Sequence, residues 1–309
     1  MVLDPRPVRR PRPAPAGDLV AESRARPYSA ERCVVSLDAY TMAHQADGLE
    51  RCRQEVIASP TDVARLRTQR VLTFMLLSAP VGEGLAEAIA DLSVIDHPEA
   101  EIESLRFSAT LAAREGRFDA VPALLDHVSR AVAARYPGQE AWYVEIARRV
   151  LVDCPATRHL VDARAEAPRF FEHPVNQSVV DLSGLWHQLD GGEVNAATTP
   201  MIRQLVTQLS TSSAHAIEIL HLLALGRVEA AGDRLRPFRG QLATRPRESL
   251  AHLLLVAAGR VAVATRDGHL AAEVGAAAEP FAGEWLGVWP FDLIIEPADR
   301  LLDTLRSLR

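Results

Sequence analysis

The chain of 309 residues contains no lysine, so all 34 of its basic side chains are arginines. Schiff-base and pyridoxal chemistry, the P-loop lysine that reaches nucleotide phosphates and the kinase Lys–Glu pair each need an ε-amine, and all are excluded. Arginine is permanently charged and cannot act as a base near neutral pH, so these side chains are expected to pair, stack or solvate. The bias fits translation of a GC-rich genome. Cysteine is also scarce: Cys33, Cys52 and Cys154 are odd in number and form no C-x-x-C pair, which argues against a disulfide framework or a structural zinc site. Long apolar runs are missing, since the stretch Leu253 to Gly259 is broken by Arg260 and falls far short of the roughly 18–20 residues of a membrane span. Neither a G-x-S-x-G elbow nor an H-E-x-x-H helix occurs.

Residues 1–27 concentrate proline with six arginines against Asp4, Asp18 and Glu22, a composition that propagates neither helix nor sheet. They read as a disordered, locally basic tail. Arg9 and Arg10 resemble a twin-arginine signal, but no apolar segment follows, so the expected location is cytoplasmic. The remaining residues carry a net charge of about −9 and make a poor duplex-DNA surface; nucleic acid is expected only through the tail, if at all.

With 48% hydrophobic residues the body has material for a sizeable core. Helical spacing dominates it and alternating β-branched runs are almost absent, which predicts an all-α fold. Thr61 caps a predicted helix through about Ser78, with Val63, Leu66, Val71, Phe74 and Leu77 on its inner face. Glu99–Glu115 ends at Gly116 and is followed by a helix from Asp119 to about Arg135. The same grammar gives Ser212 to Leu225, Gly226, then Glu229 to about Leu242, and again Arg247–Thr265 with Asp267–Ala278. Further helices are expected near 138–152, 155–166, 177–189 and 199–210. Two prolines make 167–176 the expected linker between an N-terminal array, 28–166, and a C-terminal one, 177–309.

Gly116 precedes Phe118, Val121 and Leu125, and Gly226 precedes Val228, Ala231 and Leu235, at the same offsets of two, five and nine. This resembles the second-helix signature of tetratricopeptide repeats. The two glycines are not a multiple of 34 residues apart, the first-helix Trp and Tyr of that motif are missing, and the third unit puts Asp267 and Gly268 at the turn and Gly275 where a bulky residue is expected. The resemblance implies antiparallel helix pairs stacked in a TPR-like right-handed superhelical array. Residues 217–308, with LLALGRVEAAGDRLRPF, also resemble the helical tail of actinobacterial transcriptional-activator-domain and LuxR-type regulators, which implies a non-catalytic scaffold with a protein or peptide partner in bacterial regulation.

Two groups of side chains are candidates for a site. Phe281, Trp285, Trp289 and Phe291 concentrate aromatics that either contact a partner or plug the end of the array. His215, Glu218 and His221 supply E-x-x-H chemistry for a metal, with Glu248 and His252 as the nearest helpers, and the same three with His187 and His252 are the polar groups of an internal pocket in a biosynthetic protein. However, His215 and His221 lie about 120° apart around a helix. Cys154 near His159 is a thiol–imidazole pair on diverging faces, and the DGGE turn at 190–193 lacks the ligands of a calcium loop. No cofactor is expected, and the oligomeric state is left open.

Overall fold

The computed structural model describes residues 38–39, 41–43, 45–135, 185–186, 189, 194, 198–200, 202–203, 211–243, 251–288 and 293–308. The tail 1–27, the linker 167–176 and most of the helices expected between 138 and 210 lie outside them, as do Cys154, His159, His187, Glu248 and the DGGE turn. Most described residues are helical. In chain order the helices are α1 (Gly48–Ala58), α2 (Asp62–Leu76), α3 (Leu85–Ser93), α4 (Pro98–Arg114), α5 (Val121–Arg135), α6 (Thr211–Ala224), α7 (Val228–Leu235), α8 (Ala251–Thr265), α9 (Gly268–Ala278) and α10 (Ala298–Arg306). Strands β1 (Trp285–Val288) and β2 (Leu293–Pro297) form one antiparallel hairpin before α10.

Within each half, the helices pack on their neighbours in sequence. Contacts run from α1 to α2, α3, α4 and α5 in the N-terminal half, and from α6 to α7, α8, α9 and α10 in the C-terminal half. Helix α6 also packs directly on α8, so the first helices of successive pairs touch.

Local chemistry places the helix ends. Thr61 caps α2 by accepting from the Ala64 N–H, and Pro98 occupies the first turn of α4, where its missing N–H costs nothing. Three helix pairs then share one turn. Gly116 N–H donates to Ala113 and Arg117 N–H to Ala112; Gly226 to Leu223 and Arg227 to Leu222; Arg266 to Val263 and Asp267 to Ala262. These are Schellman closures, in which the residue after the helix enters the left-handed region. Gly116 and Gly226 do so at φ 71°, where glycine meets no Cβ penalty. In the third pair the turn residue is Arg266 at φ 52°, one position before the expected Asp267–Gly268, and Asp267 instead caps α9 by accepting from His269 and Leu270.

Some expected boundaries and faces shift. Helix α7 stops at Leu235 rather than near Leu242, because Pro237 diverts the chain into a short 3₁₀ turn, Arg236–Phe238. Val63 is exposed, while Leu66, Val71, Phe74 and Leu77 are buried as expected. The hairpin was not expected. Its second strand reads Leu-Ile-Ile-Glu-Pro, without alternation of polar and apolar residues, because both of its faces are covered.

The buried side chains form two cores, one from residues 39–132 and the other from residues 185–305, and the hairpin contributes to both. The N-terminal core also encloses charge. Arg70 pairs with Glu99 and lies 3.9 Å from Glu103, which pairs with Arg106 at 3.2 Å; all four are buried. The Arg106 guanidinium sits 5.0 Å from the Phe107 ring and 5.5 Å from that of Phe74, so aromatic faces share in balancing it.

The shared turn predicts an asymmetry measurable by urea unfolding. Gly226→Ala costs about 1–2 kcal/mol from the forced left-handed backbone, whereas Arg266→Gly raises stability by up to about 1 kcal/mol. Gly116→Ala costs more than Gly226→Ala, since its new Cβ meets Trp285 Nε1 at 3.2 Å while the site at Gly226 is open.

Candidate functional site

The hairpin enters from a tight turn. Gly283 takes φ 81°, and its N–H donates to Asp299 Oδ1 at 3.1 Å, fixing the start of β1 against the start of α10. Successive strand residues point to opposite faces. Trp285 and Ile294 accordingly pack in the N-terminal core, and Leu286 and Ile295 in the C-terminal one. The register slips between Leu286 and Gly287, which sets Leu286 opposite Glu296 and Gly287 opposite Ile294. Trp285 meets Phe118 edge to face with ring centroids 5.0 Å apart, beside the turn at Gly116.

The polar centre of this junction is Arg114, the last residue of α4, whose side chain is 0% exposed. It donates to the carbonyls of Leu77 at 3.0 Å and Ala79 at 2.8 Å, with Leu76 at 3.4 Å, and so closes the C-terminal end of α2. From the other half, Glu284 pairs with the same guanidinium through Oε2 and accepts the Val81 N–H at 2.7 Å through Oε1. Burial pulls the Arg114 pKa down, and the Glu284 charge beside it acts in the opposite direction. The carboxylate thus bridges two donors, with one oxygen on the guanidinium and the other on a backbone N–H.

His252 of α8 lies behind the hairpin. Gly287 N–H donates to its Nδ1 at 3.1 Å, and Phe281 stacks edge to face on the ring at 4.6 Å. Burial, and next the charge of Arg114, push the His252 pKa down to about 3, so the ring is neutral with its proton on Nε2. The Ser78 backbone, from the other half, is a second polar neighbour of the ring. The junction is held by Glu284, by this histidine and by packing.

The side chains suggested by sequence distribute differently from expectation. Phe281 is buried, and Trp285 is half-buried against Phe118. Trp289 and Phe291 lie outside the described residues. The E-x-x-H group does not assemble. Glu218 is held by Arg234, His215 packs on Phe238 at 4.9 Å, and His221 reaches Thr199 Oγ1 at 3.3 Å. His252 is committed to the hairpin instead. Burial, followed by the charges of Arg203 and Arg227, lowers the His221 pKa. Among the described residues no three His, Cys, Asp or Glu side chains gather as a metal would require. Cys52 is buried, and desolvation raises its thiol to about 12, far from the reactive range.

Arg114 and Glu284 escaped the sequence reading because their partnership spans 170 positions and neither sits in a motif. The only local hint was a lone glutamate between Gly283 and Trp285 in an otherwise apolar stretch. No family model matches the chain, and neither a curated protein nor a solved structure matches it.

Two outcomes follow for stability. Glu284→Ala strands a buried guanidinium and costs about 3–5 kcal/mol, whereas Asp303→Ala on the exposed face of α10 costs under about 0.5 kcal/mol, both by denaturant unfolding. His252 binds its proton more readily unfolded than folded, so its contribution is nil above about pH 6.5 and destabilising below. Stability falls by about 1.4 kcal/mol per pH unit between pH 6 and 4 from this group alone, and His252→Gln flattens that slope. An unchanged slope would place the pH dependence on the carboxylates.

Proposed function

We propose that the chain is a non-catalytic, TPR-like interaction scaffold that binds a protein or peptide in bacterial transcriptional regulation or signalling, in the cytoplasm. One observation carries this reading: three helix pairs share the same Schellman turn, and the first helices of two successive pairs, α6 and α8, touch, the arrangement by which repeat arrays build extended binding surfaces. The ionisable groups that offered a competing chemistry support it as well, because Glu218, His221 and His252 each have a partner inside the fold. Among the described residues no helix is long and apolar enough to cross a membrane. The regulatory assignment rests on the resemblance of residues 217–308 to helical tails of large regulators.

The test is affinity capture of the tagged full-length chain from its native host at moderate salt. Proteins in the eluate are identified by mass spectrometry, and metals and metabolites are quantified in the same sample. The expected result is reproducible, near-stoichiometric enrichment of one protein partner with regulatory activity. A partner-free chain carrying a stoichiometric metal or metabolite would overturn the reading in favour of an internal pocket.

A further inference from the structure

The N-terminal half holds a ready-made receptor for a carboxylate next to an aromatic ring. Arg114 is fixed by carbonyls of residues 76–79, which belong to the same half, so its guanidinium keeps its position whichever carboxylate it meets. The Val81 N–H points to the same carboxylate, and Phe118 beside the Gly116 turn supplies the face on which an indole edge rests. The occupant is two consecutive residues, Glu284 and Trp285, contributed by the other half. Its carboxylate is not sealed in: the Glu284 side chain is 13% exposed, whereas Arg114 is 0% exposed, so the ligand side of the pair lies at the rim. A charge-assisted contact on one carboxylate oxygen, a backbone N–H on the other and an edge-to-face aromatic pair are the chemistry of a short recognition motif.

We propose that this socket is a docking site for an acidic–aromatic segment, Glu-Trp or close to it, of a partner protein, and that Glu284–Trp285 occupies it in cis as an autoinhibitory contact. The partner segment displaces the hairpin and frees the two cores from one another. The proposal rests on the scaffold reading and names the chemistry of its partner. Its test uses a peptide, so it succeeds or fails whatever the capture experiment yields.

The experiment measures fluorescence anisotropy of a labelled synthetic peptide spanning residues 281–288 against the full chain carrying E284A and W285A. Saturable binding to the double variant is expected, weakened at least about tenfold when the peptide glutamate is replaced by glutamine, and equally weakened on the wild-type chain, whose socket is filled. A helical double variant that shows no saturable binding, or a wild-type chain that binds as tightly as the variant, would overturn the proposal. Should the double variant lose its helical circular-dichroism signal, hydrogen exchange of the Val81 amide in the E284A chain decides. Exchange at least about tenfold faster than wild type, slowed again by the peptide, supports the socket, and exchange indifferent to the peptide contradicts it.

Discussion

A guanidinium withdrawn from water must be answered by hydrogen bonds and by charge, and Arg114 draws these answers from different parts of the chain. Carbonyls at the end of α2 supply the hydrogen bonds, and Glu284 supplies the charge from the other core. Removing the first set would leave the end of α2 open, and removing the second would leave a buried ion without a counter-ion. The path of the hairpin follows from this constraint. Gly283 turns the chain so that Glu284 reaches Arg114, Trp285 then falls against Phe118, and the next residue, Leu286, enters the C-terminal core.

Around that contact one helix-ending turn recurs. The helix pairs share a turn whose hydrogen bonds are the same in all three cases. Arg266 shows that the geometry is imposed by the helix end rather than by glycine, since a bulky residue accepts the left-handed backbone where the closure requires it. Charge inside the N-terminal core is handled on the same principle as at the junction. Arg70 and Arg106 are buried with Glu99 and Glu103 and with aromatic faces, so an arginine-only chain uses its forked side chains as internal cross-ties.

How much of this was legible in the sequence depends on range. Thr61, Gly116 and Gly226 act through hydrogen bonds to residues a few positions away, and the ends they mark were readable. Pro237 carried a signal as well, but the reading ran α7 past it to about Leu242. The hairpin was hidden because a strand buried on both faces loses the alternation by which strands are recognised, and nothing in the sequence told that Phe281 and Trp285 would pack in different cores. The pair Arg114–Glu284 joins positions far apart in the chain, and no spacing announces it. The histidines failed for the opposite reason. A motif was present on one helix, but Arg234, Phe238 and Thr199, from other parts of the chain, turned its members to separate partners.

The central claim is that the hairpin makes one cooperative body of two cores. Calorimetric unfolding of the full chain tests it most directly, by comparing the measured enthalpy with the van't Hoff enthalpy of the transition. A single transition with the two in agreement is expected for the wild-type chain, splitting into two when Glu284 is replaced by alanine. Two separate transitions in the wild-type chain, or one unsplit transition in the Glu284 variant, would contradict it.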